Sequence, residues 1–137
     1  MNKKGFTFIE LLAVIIIIGI IALITIPSIR YADRKFHEKA YKTKLEIIKN
    51  AAKEYGDDFR EVIVNSNAST YTDPSTNQVY PSVTIKVSDL LNNGYLTKDD
   101  GIKKTDILDP RDDSSMLNDQ IIIYIKNNRS YAIINAH

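Results

Sequence analysis

The sequence predicts an α+β fold in which a long N-terminal helix packs by its second half on a small antiparallel sheet. Three observations lead to this fold class. Residues 6–29 are almost entirely apolar, the next stretch repeats apolar residues every three or four positions, and two β-branched runs lie near the C-terminus. The 137 residues are enough for one domain core and too few for two sizeable ones.

The apolar run from Phe6 to Ile29 carries Glu10 as its only formal charge. As a helix it would be about 36 Å long, which exceeds the roughly 30 Å hydrocarbon core of a bilayer. A cleaved secretory signal would have a shorter apolar region, and no Ala-x-Ala follows this one. We therefore predict a retained transmembrane helix at residues 6–29. A bend is expected near Gly19 and Pro27, because glycine and proline weaken helices.

A second, amphipathic stretch follows Pro27 and predicts that the helix continues, so that one helix runs from about Thr7 to Val64. Its expected core-facing stripe is Phe36, Ala40, Ile47, Ala51, Tyr55, Phe59 and Val62, widened by Leu45, Ile48 and Ala52. The polar segment Asn65–Gln78 contains Asp-Pro and predicts a loop.

The remaining segments predict short elements and a sheet of three strands or slightly more. Val83–Val87 alternates like a strand or an extended lead-in. Ser88–Gly94 is expected to be a short helix with Ser88 as its N-cap and Gly94 as its stop. Gln120–Lys126 and Ser130–Asn135 are β-branched runs on either side of a turn, which predicts a hairpin.

The composition excludes several classes of function. The chain has no cysteine, so disulfides, thiolate catalysis and cysteine zinc sites are excluded, and two histidines are too few for a histidine-rich metal site. A net charge of +1 gives no reason to expect nucleic acid as a partner. We find no nucleophile–base pair, phosphate loop or metal-ligand cluster in the sequence. We therefore expect no enzymatic activity and no cofactor.

The first ten residues carry the most specific pattern. They read Lys3-Lys4-Gly5-Phe6-Thr7-Phe8-Ile9-Glu10, followed directly by the apolar run and Pro27. This N-terminus resembles that of class III signal-peptide proteins, which are the type IV pilins and the pseudopilins of type II secretion and competence (DNA-uptake) machines. The resemblance extends from Met1 to about Arg30. It implies a pilin-like fold, with a leader at residues 1–5, a transmembrane and assembly helix at 6–29 and a globular domain at 30–137.

The resemblance also implies a role for each residue of the motif. A prepilin peptidase would cleave between Gly5 and Phe6 and methylate the new amine on Phe6. Glu10 would pair with the terminal amine of a neighbouring subunit as the chain enters a filament. A carboxylate in a membrane helix costs about 2.5–3.5 kcal/mol, so such residues usually have a partner. The simpler interpretation is that Glu10 lies near the helix start and reaches the lipid headgroups.

Gly19 and Pro27 match positions between which members of the family lose helicity when they pack into a filament. The alternative for both residues is an ordinary kink of a membrane helix. An isolated subunit is expected to keep a continuous, kinked helix there.

The expected topology rests on the resemblance, because basic residues lie on both sides of the apolar run. Lys3 and Lys4 precede it and six lysines and arginines follow by Lys44, so a positive-inside count would place the C-terminal part in the cytoplasm. The family instead implies a single-pass membrane protein with a cytoplasmic N-terminus and an extracytoplasmic domain, which becomes part of an envelope or extracellular filament.

The expected partners are further copies of the chain, membrane lipid, the prepilin peptidase and a pilus or secretion assembly platform. The competing interpretation is a non-polymerising, signal-anchored protein with a small extracytoplasmic binding domain. The sequence leaves open pilin versus pseudopilin, major versus minor subunit, and a role in adhesion, motility, DNA uptake or secretion.

An acidic loop near the C-terminus raises the question of calcium. Its members are Asp106, Asp109, Asp112, Asp113 and Asp119. Their spacing is not that of an EF-hand loop, and aspartate is common in turns, so a solvated loop is the default expectation. Since no disulfide can hold this region, packing has to do so, and the candidates are Tyr71, Tyr80, Tyr95, Leu96, Ile107 and Leu108.

Overall fold

The computed structural model describes residues 7–66, 69–99 and 106–135, with the side chains of residues 24–30 excepted. The elements within these ranges are α1 (Phe8–Asp58), α2 (Arg60–Ser66), β1 (Thr70–Thr72), β2 (Val79–Lys86), α3 (Val87–Asn92), β3 (Gln120–Lys126) and β4 (Arg129–Asn135). The strands form an antiparallel sheet in the order β1-β2-β3-β4. The predicted α+β class is confirmed. The chain divides into two compact units between His37 and Glu38.

Among the described residues, no helix combines the length and the apolar character needed to cross a membrane. The described residues therefore do not show the transmembrane helix expected at residues 6–29. Residue 6 and the side chains of residues 24–30 lie outside what the structure describes.

The expected single helix from Thr7 to Val64 is interrupted at Phe59, where α1 has ended and α2 has not begun. The backbone stays close to helical there, because Phe59 N–H donates to the Tyr55 carbonyl at 3.0 Å and Ile63 N–H donates to the Phe59 carbonyl at 2.9 Å. The residues just before the break, Asp57 and Asp58, are weak helix formers whose side chains are held by other segments.

Two hydrogen bonds hold these aspartates. The Ser130 hydroxyl on β4 donates to Asp57 at 2.8 Å, and the Tyr95 hydroxyl donates to Asp58 at 2.7 Å. These tertiary contacts explain why the helix ends at Asp58, a boundary that the hydrophobic spacing does not reveal.

The core of the second unit lies between α1 and the inner face of the sheet. Tyr41, Ile48 and Ala52 of α1 are buried, as are the alternate β3 residues Ile121, Ile123 and Ile125. The predicted stripe was wrong at four positions, which are exposed by 38–71%: Phe36, Ile47, Phe59 and Val62. More than one side of this helix carries apolar residues, so their spacing does not determine which side is buried.

The sheet starts earlier than expected. β1 falls inside the predicted loop Asn65–Gln78, and β2 begins at Val79 rather than Val83. Pro81 within β2 and the polar composition of β1 both weaken a strand prediction. β1 is held by the ring of Tyr71, which stacks on Tyr124 of β3 with centroids 4.5 Å apart.

The predicted hairpin is confirmed, with β3 and β4 joined by Asn127 and Asn128. Both residues have positive φ, 50° and 63°, as a two-residue type I′ turn requires.

The short helix α3 is confirmed with a different start. Lys86, and not Ser88, is the N-cap, and the Asp89 carboxylate accepts the Lys86 N–H at 2.8 Å. Gly94 ends the helix as expected, with φ of +83°. Tyr95 N–H donates to the Leu90 carbonyl at 2.9 Å, as in a Schellman cap.

Candidate assembly site

The start of α1 is built by Thr7 and Glu10. Thr7 N–H and the Thr7 hydroxyl both donate to Glu10 Oε2 at 2.8 Å, and Glu10 N–H donates to Thr7 Oγ1 at 3.4 Å. This reciprocal arrangement is a capping box, in which an N-cap side chain and the side chain three residues later satisfy each other's backbone donors. Glu10 therefore has a structural role in the single chain, and its assembly role stays a prediction.

Thr7 is the site residue that sequence reasoning missed. The pattern Thr7-x-x-Glu10 directly before an apolar run is the capping-box signature, so the information was present.

The other predicted site residues are only partly placed. Gly5 and Phe6, the cleavage and methylation positions, lie outside the described residues. Gly19 lies in α1 with nothing within 4 Å of where a Cβ would be. Pro27 also lies within the bounds of α1, which runs without interruption past both residues.

The carboxylate of Glu10 is open to a further partner. Among the described residues, its side-chain hydrogen bonds all end on Oε2, and none reaches Oε1. The side chain is exposed and sits in the first turn of α1, where the helix dipole favours a negative charge. The arrangement can accept a cationic donor at Oε1 while Thr7 holds the other oxygen.

An exposed apolar surface follows this acid along α1. Phe8 is 82% exposed and Leu23 is 76% exposed, and the large side chains between them are exposed as well. Isolated soluble proteins rarely present so much contiguous apolar surface, which usually marks a protein or membrane contact. The first unit therefore combines one acid at the helix start with an apolar surface that needs covering.

The acidic loop is occupied by its own hydrogen bonds. Arg111 donates from Nη2 to Asp109 Oδ2 at 2.6 Å and from Nε to Oδ1 at 3.0 Å. The Asp112 carboxylate accepts the Ser114 N–H at 3.0 Å. Within the described ranges, no group of three or more potential metal-ligating side chains occurs.

Arg111 also ties this loop to α1, since its guanidinium lies 3.5 Å above the centre of the Tyr41 ring. Hydrogen bonds from Arg111 hold the pKa of the Asp109 carboxyl below its ordinary value. A second tie is the ion pair between Lys44 of α1 and Asp99. These contacts hold the loop region in a chain that has no disulfide.

The packing expected to hold the loop is partly present. Leu96 and Ile107 are buried, and Met116 joins them. Tyr71 and Tyr80 instead lie beside Tyr124 of the sheet, with ring centroids 4.5 and 5.8 Å from it.

Comparison with known proteins bears on the N-terminus. The family described as the prokaryotic N-terminal methylation motif matches residues 1–26. The chain carries a prepilin-type N-terminus. The ComG operon protein 3 homolog of Bacillus licheniformis is 46% identical over 39 residues, which are 28% of this chain and 40% of that protein. The chain thus spans about two fifths of the length of the curated relative it matches. No solved structure matches the chain.

Proposed function

We propose that the chain is a structural subunit of a type IV pilus or pseudopilus, with no catalytic role. A prepilin peptidase removes residues 1–5 after Gly5 and methylates Phe6, and the subunits polymerise through their N-terminal helices. The methylation motif at residues 1–26 carries this proposal. The exposed apolar surface of α1, headed by Glu10, supports it because such a surface suits a subunit that packs against copies of itself.

The apolar segment acts twice in this proposal. Before assembly, residues 6–29 anchor the subunit in the membrane, with the basic leader in the cytoplasm and residues 30–137 outside. After extraction by the assembly platform, the same surface packs against the helices of neighbouring subunits. Hydrocarbon and other helices both remove apolar area from water, at about 25 cal/mol per Å².

Glu10 gives this assembly its register. The new amine of Phe6 on one subunit pairs with the carboxylate of Glu10 on its neighbour, through the oxygen that Thr7 does not occupy. A charge pair in low dielectric loses far more when one partner is missing than it gains overall. Subunits out of register are therefore penalised, which selects one axial position.

The change Glu10→Ala tests this function in cells that contain the assembly machinery. The variant should lose its leader normally and be absent from filaments sheared from the cells, because the carboxylate is needed after cleavage. Glu10→Gln keeps an acceptor for Thr7 and removes the charge, so it should fail in the same way.

Asp33→Ala is the matched control, since it removes an exposed α1 carboxylate from elsewhere on the helix and should leave filaments unchanged. Filaments of normal yield from both Glu10 variants would contradict the assembly role. A wild-type chain that keeps Met1 and never leaves the membrane would instead indicate the signal-anchored alternative.

A further inference from the structure

The part of α1 in the second unit separates its charges along the helix. Lys39 and Lys42 are exposed near the start of this part, and Glu54 and Asp57 are exposed near its end. The side chains of Lys39, Lys42 and Glu54 form no hydrogen bond or ion pair within the chain as described. Asp57 uses Oδ1 for both Arg60 and Ser130. The helix thus presents a basic segment and, further along, an acidic one.

Lys39, Lys42 and Glu54 lie away from the face that holds the domain together, whereas Asp57 also accepts a hydrogen bond from Ser130 of β4. Tyr41, Ile48 and Ala52 are the buried positions of this part of α1, whereas the four charged positions are exposed. Among the residues that the structure describes, no packing contact requires a lysine at 39 or a glutamate at 54. Their arrangement is free to serve a contact outside the chain.

The spacing of the charges repeats. In three pairs of oppositely charged residues, the two members are the same number of positions apart along the chain. These pairs are Lys39 and Glu54, Lys42 and Asp57, and Glu38 and Lys53. A second copy displaced by this interval therefore meets opposite charges at these three positions, whereas Glu46 then meets Glu61. At 1.5 Å per residue the displacement is about 22 Å along the helix.

In a filament whose helices all point in one direction, other contacts of these charges are less favourable. Parallel copies without a displacement would place Lys39 and Lys42 against the same residues of the neighbour, and like charges in contact disfavour association. An anionic lipid surface would attract the lysines and repel Glu54 and Asp57. Both signs are satisfied together by a copy of the same helix that is shifted along its axis.

We propose that neighbouring subunits make a lateral contact through α1, in which Lys39 and Lys42 of one copy pair with Glu54 and Asp57 of the next. This inference rests on the proposed filament, in which all N-terminal helices point in one direction. The contact joins different surfaces of the two copies, so it leaves a free lysine segment and a free acidic segment at the ends and propagates without closing.

A charge swap tests the contact. Lys39→Glu should lower the yield of sheared filaments at least fivefold, because each subunit would then oppose Glu54 with a like charge. Glu54→Lys alone should do the same, and the double change Lys39→Glu with Glu54→Lys should recover at least half of the wild-type yield. Arg129→Glu, an exposed reversal at the start of β4, is the control and should leave the yield unchanged.

Cysteine cross-linking gives a second, independent test, because the chain contains no cysteine of its own. Copies with Lys39→Cys and copies with Glu54→Cys would be expressed together with the unsubstituted chain, so that filaments still form. Oxidation should give a covalent dimer that contains one copy of each variant, since a disulfide requires Cα atoms within about 7 Å.

The control for the cross-link pairs Lys39→Cys with Glu46→Cys, another exposed position on the same helix. Position 46 precedes position 54 by rather more than two helical turns, which is about 12 Å along the axis. This separation exceeds the reach of a disulfide, so the control pair should give no covalent dimer.

The outcomes separate this inference from the function on which it rests. The lateral contact would be overturned if the unsubstituted chain forms filaments but the Lys39–Glu54 cross-link is absent. It would also be overturned if the double charge swap does not recover the filament yield. In both cases the filament function would stand. A chain that carries both cysteines and forms only closed dimers would indicate antiparallel pairing and would also overturn the lateral contact. Absence of filaments from the unsubstituted chain would refute the filament function itself, and the contact with it.

Discussion

We predict that Gly56→Ala destabilises the globular unit, although alanine is the better helix former. A Cβ at position 56 would lie 2.6 Å from Ile123 Cγ2 and 2.9 Å from both Cβ and Oγ of Ser130. Ile123 is fully buried, and the Ser130 hydroxyl is held by its bond to Asp57, so neither can move away freely. The glycine lets α1 approach the sheet this closely.

Two opposing magnitudes decide the expected result. In a helix interior, alanine stabilises the helix by about 1 kcal/mol relative to glycine. Overpacking a close contact costs about 1–3 kcal/mol, and a separation of 2.6 Å places this case at the upper end. The net loss should be about 2 kcal/mol, which corresponds to a fall in Tm of about 10 °C for a domain of this size.

The measurement is urea unfolding of the full chain in detergent, followed by near-ultraviolet circular dichroism. The stacked rings of Tyr71, Tyr124 and Tyr131 report on the sheet. Asn50→Ala, an exposed substitution on α1, is the control and should be neutral or slightly stabilising. Equal or greater stability of Gly56→Ala would refute the inference that a close helix–sheet approach selects glycine here.

Three further predictions concern individual hydrogen bonds. Arg111 lowers the pKa of Asp109 below 3.8, so their pairing stabilises the fold above about pH 4. This contribution is lost as the pH falls through the lowered pKa. Arg111→Gln should therefore make the stability measured by urea unfolding depend less on pH in the acid range. The hydrogen bond to Asp58 raises the pKa of Tyr95 from 10.0 to about 12. The stability that this bond contributes is complete below pH 10 and is lost as the pH rises through 12. Tyr95→Phe should therefore remove this loss of stability at alkaline pH. Thr7→Ala should speed amide exchange in the first turn of α1 about fivefold, since a cap contributes about 1 kcal/mol, and unchanged exchange would contradict the capping box.

Elements with strong local patterns were predictable from the sequence. The β-branched runs and the Asn-Asn turn gave the hairpin, and Gly94 gave the end of α3, because backbone geometry restricts the residues allowed at such positions. The boundary at Phe59 and the strand β1 were not predictable in this way. They depend on contacts between distant residues, such as Ser130 with Asp57 and Tyr71 with Tyr124.

The candidate site shows the same division. Residues 1–26 carry a local motif that could be identified in the sequence and that the family comparison confirms. Thr7 was overlooked although its spacing from Glu10 is equally local. The pairing of Arg111 with Asp109 and Tyr41 was beyond sequence reasoning, since it requires knowing that the acidic loop lies over α1.

The most direct test of the account is the mass of the N-terminal peptide of the chain taken from sheared filaments of cells that have a prepilin peptidase. We predict a peptide that begins at Phe6 and carries an N-methyl group, from subunits that sediment as filaments. A chain that begins at Met1, stays in the membrane fraction and is absent from the sheared material would contradict the central claim.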